Sequence, residues 1–266
     1  MNLNQTAYAV ILALAAGIST GIGGLAVLFF KKTNMKILSV MLGFSAGIMI
    51  YISFIEIYQE AQTNLCGVHG IKNGRILTVL AFFFGMVLMA FINEFIPESN
   101  QPHRIRGKAQ DQKPSGHLFR TGLFTAIAVT IHNFPEGIAT FISGMKNPAL
   151  GFSVALAIAI HNIPEGISVS IPIYYATKSK GKAFFISLAS GLSEPLGAIL
   201  AMLILGPFIT DTVFGLIFGA VAGIMVYISL DELLPTAREY GEHNLSILGL
   251  ILGMAVMAVS SVFVFI

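Results

Sequence analysis

The chain has 266 residues, of which 55% are apolar and 11% charged, and its mean hydropathy is +0.82. A soluble domain has roughly twice that charged fraction, so a freely soluble globular protein is excluded. The net charge of +2 comes with no basic stripe and no stacking aromatic motif, which excludes a nucleic-acid partner, and the single cysteine, Cys66, excludes both an intrachain disulfide and a thiolate metal cage.

A helix of about 20 apolar residues spans the hydrocarbon core of a bilayer. Eight segments meet that length, at about 6–30, 37–59, 75–96, 118–143, 149–175, 183–206, 212–234 and 245–266. They predict an all-α polytopic membrane protein with eight transmembrane helices in one domain, 1–266. The first segment is too long for a cleaved signal peptide, and Lys31 and Lys32 follow it rather than precede it. The connection at about 98–117 reads as a flexible loop, and its His103 and His117 read as solvated side chains. Counted in order, the odd-numbered connections hold 12 of the 15 basic residues. The positive-inside rule makes that side cytoplasmic, so both termini face outward.

Two internal repeats organise the chain. Residues 46–57 read AGIMIYISFIEI and residues 222–233 read AGIMVYISLDEL, identical at eight of twelve positions. They lie on the second and seventh segments, which run in opposite directions. A repeat between antiparallel spans is an inverted-topology repeat, common in secondary transporters. It predicts that spans 1–3 and 6–8 are related units with spans 4 and 5 between them, a 3+2+3 plan. The second repeat is IHNFPEGI at 131–138 and IHNIPEGI at 160–167, offset by 29 residues. One span and a short turn separate the copies, so they face each other on antiparallel neighbours.

The paired HNxPEG sequences concentrate the polar chemistry. His132 and Glu136 stand at i and i+4 and share a helix face, with Asn133 beside them; His161, Asn162 and Glu165 repeat the set. Charged groups at this depth cost at least ~2.5 kcal/mol each, and a divalent cation between the helices compensates them. Pro135 and Pro164 remove helix hydrogen bonds to the carbonyls of Ile131 and Ile160, and Gly137 and Gly166 let a neighbouring helix approach. Imidazole, carboxylate and amide oxygen suit zinc, iron, manganese, cobalt or cadmium rather than Cu(I). Glu194, in GLSEPLG on the sixth segment, reads as a further ligand; no basic residue near these motifs offers it an ion pair.

Other polar positions carry weaker signals. Glu56 and Glu232 sit near predicted span ends, outward and inward, where they either attract cations at the two mouths or are ordinarily solvated at the interface, and Asp231, Asn93, Glu94 and His243 share both readings. The pairs Gly17/Gly21, Gly43/Gly47 and Gly219/Gly223 read as helix contacts, and the repeated Met49 and Met225 as packing.

HNFPEGIATF, HNIPEGISVS and GLSEPLG resemble the signatures of the ZIP (Zrt/Irt-like) metal transporters, in particular its bacterial broad-range branch. The resemblance runs over the whole chain. It implies uptake of zinc and related ions across the inner (cytoplasmic) membrane, with no enzymatic activity and no resident cofactor. It also implies a two-metal site between spans 4 and 5. His132, Glu136, His161, Glu165 and Glu194 would form one position. Asn133, Asn162, Glu136 and Glu165 would form the other, with the glutamates bridging. Family members are thought to slide one helix bundle against another, often as homodimers embedded in lipid. Two other readings use the same residues: a membrane-embedded di-metal enzyme, as on four-helix di-iron bundles, and a proton-coupled solute carrier with the carboxylates as relays.

Overall fold

The computed structural model describes residues 3–25, 35–94, 114–205, 210–240 and 243–264; some residues within these ranges, His132 among them, are described by their backbone alone. The helices are α1 (Leu3–Gly24), α2 (Met35–Ile52), α3 (Tyr58–His69), α4 (Ile71–Glu94), α5 (Pro114–Lys146), α6 (Pro148–Thr177), α7 (Lys180–Gly191), α8 (Ser193–Leu200), α9 (Asp211–Ile228), α10 (Leu234–Tyr240) and α11 (His243–Val264). No strand occurs among the described residues. Six described stretches are long and apolar enough to cross a membrane: Leu3–Gly24, Ser39–His69, Ile71–Glu94, Pro148–Thr177, Lys180–Ile204 and Asp211–Glu239.

Burial is inverted relative to a soluble bundle. Phe83, Phe84, Val87 and Phe91 on α4 face outward, while Ser45, Asn133, Glu136 and Glu194 are completely buried. Exposed aromatic and aliphatic surface of this kind is unfavourable in water by about 25 cal/mol per Å² and costs nothing against lipid. The chain is a multi-pass membrane protein.

Helix contacts are made through glycine, because without a hydrophobic drive between helices in lipid the backbones must touch to gain dispersion energy. A Cβ added at Gly43 or Gly47 would strike the backbone of Ser246 or Leu250 on α11. One at Gly223 would strike Phe82 on α4, and one at Gly17 would strike Gly191 on α7. The glycine pairs are therefore the contact surfaces expected of them. Met49 and Met225 are fully buried packing residues.

Four boundaries differ from the sequence expectation. The predicted loop at 98–117 ends earlier, because α5 starts at Pro114, a residue suited to a first helical turn. His117 therefore stands on a helix, and His103 lies outside the described residues. The second segment does not end near residue 59. It passes through a π-helical turn, Ser53–Ile57, and continues as α3 to His69. Glu56 consequently sits within a long helix and is 9% exposed. The equivalent repeat position behaves alike: Ser229–Leu233 is π-helical between α9 and α10. In both, the repeated serine donates one turn back, Ser53 to Met49 O at 2.6 Å and Ser229 to Met225 O at 2.7 Å. A wider turn of this type leaves carbonyls off the regular ladder, and hydropathy does not register it.

The sixth segment is broken at Leu192, between α7 and α8. Pro195 has no N–H to bond the Gly191 carbonyl, so the regular ladder stops there. Pro135 and Pro164, by contrast, lie inside α5 and α6, which run as α-helix through them.

A single residue, Asn147, joins α5 to α6. Its backbone is extended (φ −148°, ψ 121°), and its side chain accepts hydrogen bonds from the backbone N–H of Ala149 at 2.9 Å and Leu150 at 3.5 Å. Pro148 follows at the first helical position. Gly151 and Gly144 then let the two helices close together just beyond the turn. This hairpin sets the register of the two HNxPEG copies. Replacing Asn147 by Ala removes the cap and lowers stability by about 1 kcal/mol. A thermal unfolding midpoint in detergent equal to that of the wild type would show that the cap does not hold the hairpin.

Candidate metal centre

α5 presents Asn133 and Glu136, α6 presents His161, Asn162 and Glu165, and the first turn of α8 presents Glu194; all six side chains are completely buried. His132 is placed on α5 by its backbone, one turn before Glu136. The antiparallel hairpin brings the copies together. His161 Nε2 lies 3.3 and 3.4 Å from the two carboxylate oxygens of Glu136. His161 Nδ1 is 3.1 Å from the carbonyl of Ala157 on its own helix, which orients the ring. Asn162 Nδ2 donates to Glu194 Oε1 and to the Ala16 carbonyl of α1, the latter at 3.0 Å.

Glycines make this convergence sterically allowed. Gly137 lies against the backbone of Glu194 itself, and Gly197 against the carbonyl of Phe134, so α5 and α8 meet backbone to backbone at the acid. Gly166 meets the Thr20 carbonyl and Gly23 meets the Ile163 carbonyl, which seats α1 against α6. Gly137 of HNFPEG and Gly197 of GLSEPLG are thus parts of one contact.

Sequence reasoning missed Ser45 of α2. Its hydroxyl donates to Glu165 Oε1 at 3.3 Å and lies 3.4 Å from the His161 carbonyl. The repeat gave no signal for it, since the equivalent position in the second copy is Val221.

The balance of charge is one-sided. Three carboxylates and an imidazole are buried here, and no lysine or arginine is buried among the described residues. Several polar atoms have no hydrogen-bond partner: both side-chain atoms of Asn133, Asn162 Oδ1 and Glu194 Oε2. Each is a donor or acceptor left in an apolar interior, normally a cost of roughly 1–3 kcal/mol. The set is rich in oxygen acceptors and attractive to a cation. Among the described residues, which exclude the His132 side chain, no three His, Cys, Asp or Glu groups stand in closed metal-ligating geometry. The polar groups are instead divided into the pairs Glu136–His161, Glu194–Asn162 and Glu165–Ser45.

The chain matches the sequence model of the family described as ZIP zinc transporter over residues 93–261. It is also similar to proteins named zinc transporter ZupT. Identity is 52% to that of Clostridium perfringens, covering 97% of this chain and 96% of the relative. It is 58% to that of Streptococcus mutans and 54% to that of Chlorobium chlorochromatii, each covering 95% of this chain and 96% of the relative.

Proposed function

The chain belongs to the ZIP zinc transporter family, in its ZupT branch, and we propose that it takes up zinc, and with it iron, manganese, cobalt or cadmium, across the cell's inner membrane. Membership sets it among transporters rather than enzymes. The observation that supports the reading best is the α5–α6 hairpin: two copies of one polar motif with buried carboxylates, in a core where no lysine or arginine is buried among the described residues. The passing ion supplies the missing positive charge. His132, Glu136, His161, Glu165 and Glu194 hold one ion. Asn133 and Asn162 hold a second, shared through Glu136 and Glu165. Mixed nitrogen and oxygen donors suit this cargo, and they release it more readily than thiolates.

The transport cycle follows from two units of unequal chemistry. The eight helical segments form a 3+2+3 inverted repeat with both termini outside. The polar unit contains α1, α5, α6 and α8, paired as α1–α6 and α5–α8 through glycine–carbonyl contacts. A second unit contains α2, α4, α9 and α11, paired in the same way. Sliding of the first against the second carries the site between the two faces of the membrane, and the assembly is a homodimer in lipid.

Zinc influx into proteoliposomes tests the reading. The wild type gives saturable influx, and a His132→Ala/His161→Ala variant that remains folded gives none. Equal influx in both would move the ion path elsewhere. Bound metal without influx would favour a membrane-embedded di-metal enzyme. Zinc affinity also falls from about pH 7 to about pH 5, because an imidazole must lose its proton to bind a metal and regains it as pH drops. Calorimetric titration with zinc at the two pH values measures this, and a flat response would remove the histidines from the site.

A further inference from the structure

Most hydroxyls of the described helices follow one rule, and three buried ones, Thr20, Ser39 and Thr140, have no hydrogen-bond partner. In a membrane helix a serine or threonine satisfies its hydroxyl by donating to the carbonyl one turn back. Thr78, Thr130, Thr177, Ser53, Ser143 and Ser229 all do so, at 2.6–2.8 Å. Thr140 of α5 does not. It is completely buried, and its Oγ1 has no hydrogen-bond partner.

Its position gives that exception a direction. Asn133, Glu136 and Thr140 are spaced by three and four residues, so they lie along one face of α5. Asn133 has unpartnered polar atoms as well. The polar face thus extends one turn past Glu136, toward the Lys146 end of the helix. The internal repeat supplies a comparison within the same chain. At the 29-residue offset Thr140 corresponds to Val169 on α6, a fully buried side chain of the same shape without the hydroxyl. Packing at this position of the motif is therefore met by valine, and the oxygen is the part of Thr140 that packing does not explain.

We propose that Thr140 is a positioning residue for the transported ion, its hydroxyl holding the water shell of a divalent cation one helical turn from Glu136. Residues at i and i+4 have Cβ atoms about 5–6 Å apart, whereas a zinc–oxygen bond is about 2.0–2.2 Å. An ion bound by Glu136 is thus reached from Thr140 through a water. A hydroxyl suits that place, because it donates to one water and accepts from another without adding charge. The inference rests on the metal-transport reading above and adds to it a residue outside the HNxPEG and GLSEPLG motifs' polar positions.

The test uses the full-length wild type, Thr140→Val and Thr140→Ser, with zinc ions as the probe. Influx kinetics are measured in proteoliposomes, and the thermal midpoint is measured in detergent with and without zinc. Thr140→Val is expected to raise the KM for zinc several-fold, up to about tenfold, the worth of one hydrogen bond to a water. It is expected to shrink the zinc-induced rise in midpoint while leaving the zinc-free midpoint equal or higher, since a partnerless buried hydroxyl is gone. Thr140→Ser restores both. A wild-type KM and a wild-type zinc shift in Thr140→Val would overturn the proposal. So would a lowered zinc-free midpoint with an unchanged zinc shift, which makes the hydroxyl structural. If even the wild type shows no influx, the transport reading fails, while the comparison of zinc shifts still decides Thr140. Absence of any zinc shift in the wild type overturns both.

Discussion

Glu136→Gln is expected to lower zinc affinity and influx by at least about 100-fold while leaving the protein folded. Changes to groups that only support a metal ligand already cost about 10–100-fold, so loss of a shared ligand costs no less. The amide has the carboxylate's shape, and it keeps an oxygen for His161 Nε2, now 3.3 Å from the carboxylate. Without the charge, Glu165 and Glu194 face one fewer buried negative neighbour. The zinc-free protein is therefore expected to be as stable as the wild type or more so, as when buried ionic groups are replaced by neutral ones of like size. Influx assays and thermal midpoints read the two effects separately. Influx within twofold of the wild type would remove Glu136 from the ion path. A large fall in zinc-free stability would make it a structural partner of His161 rather than a ligand.

Gly137→Ala is expected to destabilise the protein by about 2 kcal/mol and to weaken zinc binding with it. Alanine improves helix propensity by up to about 1 kcal/mol. That gain is outweighed because the new methyl meets the Cα, C and O of Glu194, backbone atoms that no rotamer change can move. Overpacking of this kind typically costs 1–3 kcal/mol, and here it displaces a proposed ligand. Gly67 on α3 is the control: nothing lies within 4 Å of a Cβ built there. Gly67→Ala should stabilise by about 0.5–1 kcal/mol. If both substitutions shifted the midpoint in the same direction, the α5–α8 contact would not be the constraint described.

The proposed site residues stand out in the sequence because each is expensive where it stands. An acid, an imidazole and an amide in apolar helices are conspicuous against leucine and isoleucine, and the repeat doubles the signal. All the described residues of the set lie in the buried core on α5, α6 and α8. Ser45 and Thr140 were not legible, because a hydroxyl in a transmembrane helix is common and cheap when it bonds its own backbone. Only three-dimensional neighbours show that Ser45 donates to Glu165 and that Thr140 donates to nothing.

The sequence by itself determined that this chain is a multi-pass helical membrane protein and which polar residues share a helix face. These follow from properties local to a segment: length against bilayer thickness, apolar content, and the 3.6-residue period. The tertiary structure alone decided that the second and seventh segments widen into π turns and run on beyond their predicted ends, and that the sixth breaks before Glu194. It alone decided that Gly137 meets the backbone of Glu194 and Gly166 that of Thr20. Those outcomes depend on which carbonyl of a distant helix comes to lie against a given Cα. Hydropathy averages over a whole turn of helix, whereas a contact between backbones is decided within an ångström.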